Sequence, residues 1–314
     1  MTDLSLEFPE DFFREEIRNG YNVSEKMKKV WAVELDLLNK LLDVCQKYEL
    51  KCFVDAGTLL GVIRHKGFIP WDDDIDVVMF REDYEKLRAI AQEEFKEPYF
   101  FQCAYSDNNY IMGHAQIRNS NTTALLHREV WRKVDRNYGI FIDIFILDGV
   151  FQNRFLLKLQ NLIVRFCKEG ITVLVTKNEL LTRRQILEKK FLEKLKLNRI
   201  KLSEIMDAAL MKSAVEHCEM VAPLGFIHET VKRIRNKHLY DKTVWMDFEC
   251  MKVPVPGGYH EFLSNRYGDY LKPVQVSTTH GEVYFDPEKS YKEYLEDMKV
   301  GKLDYLLEDC HGKQ

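Results

Sequence analysis

The first half of the chain resolves into short blocks of apolar and polar positions. Over residues 25–50 the apolar positions Val30, Val33, Leu37, Leu38, Leu41, Leu42 and Cys45 recur every three or four residues, the period of an amphipathic helix, and Ser24 is placed to cap it. Residues 52–56 predict a short strand ending at Gly57-Thr58, and residues 59–64 a helix. A loop holding Gly67 and Pro70 follows. Residues 75–80 are apolar at nearly every position, as in a strand covered on both faces, and residues 81–94 predict a helix. Further strands are predicted over 99–105, 111–118 and 139–147. This order predicts an α/β (α+β) core of roughly 150 residues, a mixed β-sheet flanked by helices.

Beyond residue 150 the pattern changes. Leu156, Leu157, Leu159, Leu162, Ile163 and Phe166 supply the apolar side of one helical stretch, and Ile186, Leu187, Phe191, Leu192 and Leu195 that of another. Residues 206–217 predict a helix and residues 259–267 a short one. Pro223, Gly225, Pro254, Pro256 and Gly257-Gly258 break up the stretch between them. The expected organisation is a catalytic core over 1–150, a helical insertion over 151–220 and a C-terminal region over 221–314 that completes the active site.

Charge sharpens this division. Residues 151–201 carry 13 Lys and Arg against four Glu, while the rest of the chain holds 33 basic and 46 acidic residues. The insertion is therefore basic within a protein of net charge -4, and that overall balance argues against general nucleic-acid binding. A basic helical face suits peripheral contact with an anionic membrane, an anionic acceptor or a partner subunit; a solvated face is the plain alternative. The seven cysteines include no C-x-x-C pair, which predicts free thiols rather than a disulfide framework or a zinc ribbon. With no signal-peptide pattern and no long apolar window, the expected location is cytoplasmic, with peripheral attachment at the inner face of the membrane as an option.

The chemistry concentrates in Pro70-Trp71-Asp72-Asp73-Asp74-Ile75-Asp76, four carboxylates in five positions at the mouth of an apolar strand. Neighbouring carboxylates repel one another unless a cation neutralises them. If the strand alternation holds through this stretch, Asp72, Asp74 and Asp76 share one side, while Asp73 and Ile75 point to the other. Three hard oxygen donors suit Mg²⁺ or Mn²⁺. A solvated acidic turn is the alternative, but it leaves the lone acid Asp143, inside Ile140-Phe141-Ile142-Asp143-Ile144-Phe145, without a reason. A carboxylate in an apolar strand is costly unless it is paired or ligates a metal. Asp143 is thus expected beside Asp74 and Asp76 as a third metal-holding or proton-accepting acid. Gly57 and Thr58, at a strand-to-helix turn, are candidates to hold phosphate through backbone N–H groups and the Thr58 hydroxyl, with Arg64 and Arg118 as further anion clamps.

The blocks Asp55-Ala56-Gly57-Thr58-Leu59-Leu60-Gly61-Val62-Ile63-Arg64, His65 to Val77 through Trp71-Asp72-Asp73-Asp74-Ile75-Asp76, Phe141 to Asp148, and Tyr267-Gly268-Asp269-Tyr270-Leu271-Lys272-Pro273 resemble the signature of the LicD family, on a nucleotidyltransferase fold. The resemblance covers roughly residues 25–150 and 255–280. It implies a Mg²⁺-dependent phosphotransferase that moves a phospho-alcohol, most typically phosphocholine from a CDP-linked donor, to a sugar hydroxyl of a cell-surface glycan or teichoic-acid precursor, free or lipid-linked, releasing CMP. In that reading Asp74, Asp76 and Asp143 are catalytic; Asp72, Asp74, Asp76 and Asp143 hold the metal; and Gly57, Thr58, Arg64 and Arg118 bind the donor. A nucleotidyltransferase acting on a small phosphorylated substrate and a non-catalytic glycan-binding assembly subunit are the rival readings. Candidates for a choline cage are Trp131, Tyr138, Trp245, Tyr259, Tyr267 and Tyr270. Asp269 is expected to support the site or cap a turn. His114, His127, His260 and His280 show no ligand spacing and are expected to be structural or exposed.

Overall fold

The computed structural model describes residues 3–126, 134–226, 233–274 and 283–303. His127, Trp131, His280 and Cys310 lie outside them. A hairpin of β1 (Glu16–Arg18) and β2 (Tyr21–Val23) leads into the long helix α1 (Glu25–Lys47), whose Ser24 cap accepts from Met27 N at 3.2 Å. Its apolar stripe is buried as the period predicts. β3 (Cys52–Val54), α2 (Ala56–His65), β4 (Asp76–Phe80) and α3 (Arg81–Glu94) follow, then β5 (Tyr99–Gln102), β6 (Ala115–Asn119), β7 (Thr123–Leu126) and the ten-residue β8 (Ile140–Gly149).

β8 organises the main sheet. One side of it pairs in parallel with β4, which pairs antiparallel with β3. Its other side pairs antiparallel with β6 over the first half and with β9 (Met220–Ala222) at its end; β5 lies outside β6, and β10 (Arg235–Asn236) outside β9. The result is a seven-stranded mixed sheet. Its centre is buried on both faces, which is why β8 reads as Ile140-Phe141-Ile142-Asp143-Ile144-Phe145-Ile146-Leu147 with no sustained polar alternation.

Three helices, α4 (Arg154–Val175), α5 (Arg183–Lys194) and α6 (Arg199–Met211), occupy the basic stretch. Each has a side-chain cap, from Asn153, Thr182 and Asn198 respectively, and Val164, Cys167, Ile171, Leu192, Leu202, Met206 and Leu210 form a core of their own between them. A Cβ on Gly170 would come within 2.8 Å of Leu202 Cδ1, so this glycine lets α4 approach α6 closely. The stretch the breakers suggested to be irregular holds a hairpin, β11 (Thr243–Phe248) with β12 (Met251–Pro256), and then α7 (Tyr259–Tyr267). β13 (Val283–Asp286) pairs with β7, and α8 (Tyr291–Lys299) closes the described chain. No helix of the described residues is long and apolar enough to cross a membrane.

Candidate functional site

A cavity of about 640 Å³ opens where the ends of β3, β4 and β8 meet α2, α7 and the segment after β9. Asp72, Asp74, Asp76 and Asp143 line it, with Gly57, Arg64, Trp71, His114, Gln116, Arg233, Arg235, Arg266, Tyr267, Asp269, Tyr270 and Lys272. One wall is acidic; the other is cationic and aromatic.

The acidic wall is built from strand register. Asp76 opens β4 and sits directly across from Asp143 on the parallel strand β8, so the two carboxylates leave the sheet on the same face. Asp143 in turn faces Gln116 on β6; Gln116 Nε2 donates to Asp143 Oδ1 at 2.7 Å, and His114 Nε2 lies 3.1 Å from the same oxygen. His114, expected to be structural or exposed, is buried and stands at the cavity beside Asp143. Spacing along the chain hid this, because the link runs through the pairing of β6 with β8.

Residues 72–75 are not strand, since regular pairing begins only at Asp76. Asp72 N donates to Ile69 O, and the indole of Trp31 on α1 donates to Asp72 O at 3.1 Å, holding an irregular loop. The alternation expected for this stretch therefore fails, and Asp73 joins its neighbours: carboxylate oxygens of Asp72, Asp73 and Asp74 lie within 4.8 Å of one another. Burial, with repulsion from Asp73 and Asp143, pushes the carboxyl of Asp74 up to about 7. Asp76 is driven well above the usual carboxylate range by burial and by Asp74 and Asp143.

A further acid, Glu34 on α1, was not singled out from the sequence. It is 1 % exposed, its Oε2 has no hydrogen-bond partner, and burial plus the charges of Asp74, Asp73 and Asp72 hold it well above its ordinary value. It falls one helical turn from Val30 and three residues from Trp31, on the buried stripe. An acid at that position was the available signal. Clustered hard oxygen donors that repel one another, with an orphaned buried carboxylate oxygen nearby, fit a divalent cation.

The turn from β3 to α2 passes beside this wall. A Cβ on Gly57 would stand 2.7 Å from Asp72 Oδ2, so any larger residue here would push that carboxylate aside. Ala56 is at φ +44°, a left-handed conformation that stores local strain at the cavity wall. Thr58 is placed otherwise than expected: it is buried, and its Oγ1 accepts from Asp76 N at 2.8 Å, fixing the start of β4 rather than facing the cavity. Asp55 does not cap α2 with its side chain. It meets Arg235 bidentately at 2.6 and 3.0 Å, and this guanidinium outweighs burial to hold the Asp55 carboxyl below its ordinary value.

Across the cavity stand Arg64, Arg233 and Arg266, all partly buried, and among the described residues none of them forms a salt bridge with a carboxylate. Arg64 donates to His65 and to Tyr270 O, and Arg266 Nε to Tyr267 Oη. Arg118 is not among them. It is fully buried on the same face of the sheet as Gln116 but outside the cavity, bonded to Gln102, Gly139 O and Gln116 Oε1, where it orients the amide that holds Asp143. Of the aromatic candidates, Tyr267 and Tyr270 line the cavity; Tyr138 is buried elsewhere with its hydroxyl on Val134 O, Tyr259 packs on the core, and Trp245 is exposed on the hairpin. His260 bonds to Tyr270 Oη.

Comparison with known proteins bears on the same residues. The model of the LicD/FKTN/FKRP nucleotidyltransferase domain matches residues 49–162, the span that holds Gly57, the acidic loop, His114 and Asp143. The lipopolysaccharide cholinephosphotransferase LicD of Haemophilus influenzae is 29% identical over 255 residues, covering 78% of this chain and 91% of that protein. The ribitol 5-phosphate transferase FKRP of Mus musculus is 31% identical over 85 residues, 23% of this chain and 17% of its own length. An uncharacterized protein of Rickettsia typhi is 39% identical over 78 residues, 24% of each chain. These matches show a LicD/FKTN/FKRP-type nucleotidyltransferase domain over residues 49–162 and a similarity to the Haemophilus influenzae protein along most of the chain.

Proposed function

We propose that this protein transfers a phospho-alcohol, phosphocholine foremost, from a CDP-linked donor to a sugar hydroxyl of a cell-surface glycan precursor, free or lipid-linked, releasing CMP. The observation that carries this reading is a single cavity whose one wall gathers carboxylates and whose other presents three guanidinium groups without carboxylate partners among the described residues. Such a pairing serves a diphosphate that must be both gripped and neutralised. The name of the Haemophilus influenzae relative supplies the phosphocholine class.

The chain's own residues divide the work. Arg64, Arg233 and Arg266 bind the non-bridging oxygens of the donor diphosphate, and Gly57 leaves room for Asp72 at the turn. Asp72, Asp73, Asp74 and Asp76 would hold a divalent cation, Mg²⁺ or Mn²⁺; when bound, that ion supplies neutralisation of phosphoryl charge. Asp143, oriented by Gln116 and His114, accepts the proton of the attacking sugar hydroxyl at a carboxylate oxygen. That hydroxyl attacks the phosphorus bearing the alcohol, the bond to the bridging oxygen breaks, and CMP leaves. Trp71, Tyr267 and Tyr270 offer aromatic faces to a quaternary ammonium.

Incubation with CDP-choline, Mg²⁺ and a panel of glycan acceptors tests the reading by product. Phosphocholine-modified glycan with equimolar CMP supports it. Pyrophosphate released from CTP, with no CMP from any CDP-alcohol, would instead make the protein a nucleotidyltransferase.

A further inference from the structure

The cavity does not account for the surface of the helical segment. On α4, Phe155, Leu159, Leu162 and Phe166 are 72%, 45%, 64% and 43% exposed, and their spacing of four, three and four residues puts them in one stripe along three turns. The buried residues Gln160, Val164, Cys167 and Ile171 lie on the far side of the same helix. On α5 and its end, Leu187, Phe191 and Leu195 are 67%, 57% and 52% exposed at spacings of four, while Leu192 beside that stripe is buried. Isolated exposed leucines need no explanation, but two stripes of phenylalanine and leucine on consecutive helices do.

Cations flank both stripes. Arg154, Lys158 and Arg165 run along one edge of the α4 stripe, and Arg183, Lys190 and Lys194 along one edge of the α5 stripe, all exposed. We infer that this face of α4 and α5 seats the protein on an anionic lipid bilayer, the aromatic and leucine side chains entering the interfacial region while the flanking Lys and Arg reach lipid phosphates. A second copy of the chain is the less fitting occupant, because two such faces would bring like charge against like charge across the contact. On the other side of the helix Lys168 donates to the backbone oxygen of Phe226, a cavity-wall residue, at 2.9 Å, so α4 packs toward the cavity with the side opposite its exposed stripe.

Flotation of the full chain with phosphatidylcholine vesicles containing about one-third phosphatidylglycerol tests this independently of any transfer activity. At low salt the wild-type chain is expected to float with these vesicles and not with pure phosphatidylcholine, and to detach as salt is raised. Phe155→Ser with Leu162→Ser is expected to weaken partitioning at least about tenfold. Lys158→Gln and Lys190→Gln should each weaken it about fivefold while leaving thermal stability unchanged, so the test survives if the serine pair fails to fold. Absence of wild-type flotation at low salt, or undiminished flotation of the folded variants, overturns the inference. So does a dimer in sedimentation analysis that the serine pair abolishes while vesicles stay unbound, since that result would assign the face to self-association.

Discussion

Asp55, one residue beyond β3, and Asp76, the first residue of β4, are joined by a bond from Asp55 N to Asp76 O at 2.9 Å, yet they live in opposite electrostatic settings. Both carboxyls are withdrawn from bulk water. Asp55 has one guanidinium, that of Arg235, across both its oxygens and titrates below its ordinary value, whereas Asp76 faces Asp74 and Asp143 and is pushed well above its own. α1 repeats the contrast two residues apart. Asp36 accepts Ser5 N, Leu6 N and the Tyr99 hydroxyl, each at 2.8 Å, while Glu34 Oε2 has no partner. Acids that hold the fold together come with their donors in the chain. Those at the cavity crowd one another, and the folded protein bears a repulsion that a divalent cation would offset.

The strongest way to break the contrast is on its paired side. Arg235→Met leaves Asp55 buried without its guanidinium, and is expected to cost about 3–5 kcal/mol in urea unfolding. A loss under 1 kcal/mol would mean that Asp55 is neutral in the fold. On the other side the sign reverses: Asp76→Asn removes repulsion, so the metal-free protein should unfold at higher urea, while donor turnover drops at least about 100-fold. Stability and activity falling together would show that Asp76 is a structural acid. Across the cavity, Arg233→Gln and Arg266→Gln should each raise the KM for CDP-choline about tenfold, the worth of one charge-assisted hydrogen bond, with unfolding unchanged. An unaltered KM in both removes the cationic wall from the donor site.

Proton linkage sharpens the same comparison. Asp74 ionises near 3.8 when unfolded and about 7 in the fold, so the folded chain binds the extra proton between those values. The stability this proton contributes is fully present below the unfolded value and is lost as pH rises through about 7. Metal-free protein should therefore unfold more easily at pH 8 than at pH 5, and saturating Mg²⁺ should flatten that slope. Gly57→Ala is the mildest change: its Cβ displaces the Asp72 carboxylate, weakening Mg²⁺ affinity severalfold at near-constant stability.

Much of this was legible in the chain before folding. The long period of α1, the apolar strands β4 and β8 and the short helix α7 carry strong local patterns, and α7 spans the residues its pattern predicted. The acids at 72–76 and 143 and the glycine at 57 announced themselves by being costly where they stand. The hairpin β11–β12 did not, because Pro254 and Pro256 read as breakers; a two-stranded ribbon has only edges, where proline is tolerated. His114, Gln116, Arg233 and Arg266 reach the site through strand pairing and chain return, contacts that no local spacing encodes. Thr58 and Arg118 were assigned by residue type, and both went to supporting roles: one pins β4 and the other props Gln116.

The central claim is that the carboxylates of the 72–76 loop form a divalent-cation site. Mg²⁺ titration at pH 8, followed by thermal unfolding of the wild-type chain and of the Asp72→Asn/Asp74→Asn pair, tests it most directly. The account predicts a saturable rise in Tm for the wild type and none for the pair, whose metal-free Tm already lies higher. A wild-type Tm indifferent to Mg²⁺ and Mn²⁺, or an equal rise in both proteins, would contradict it.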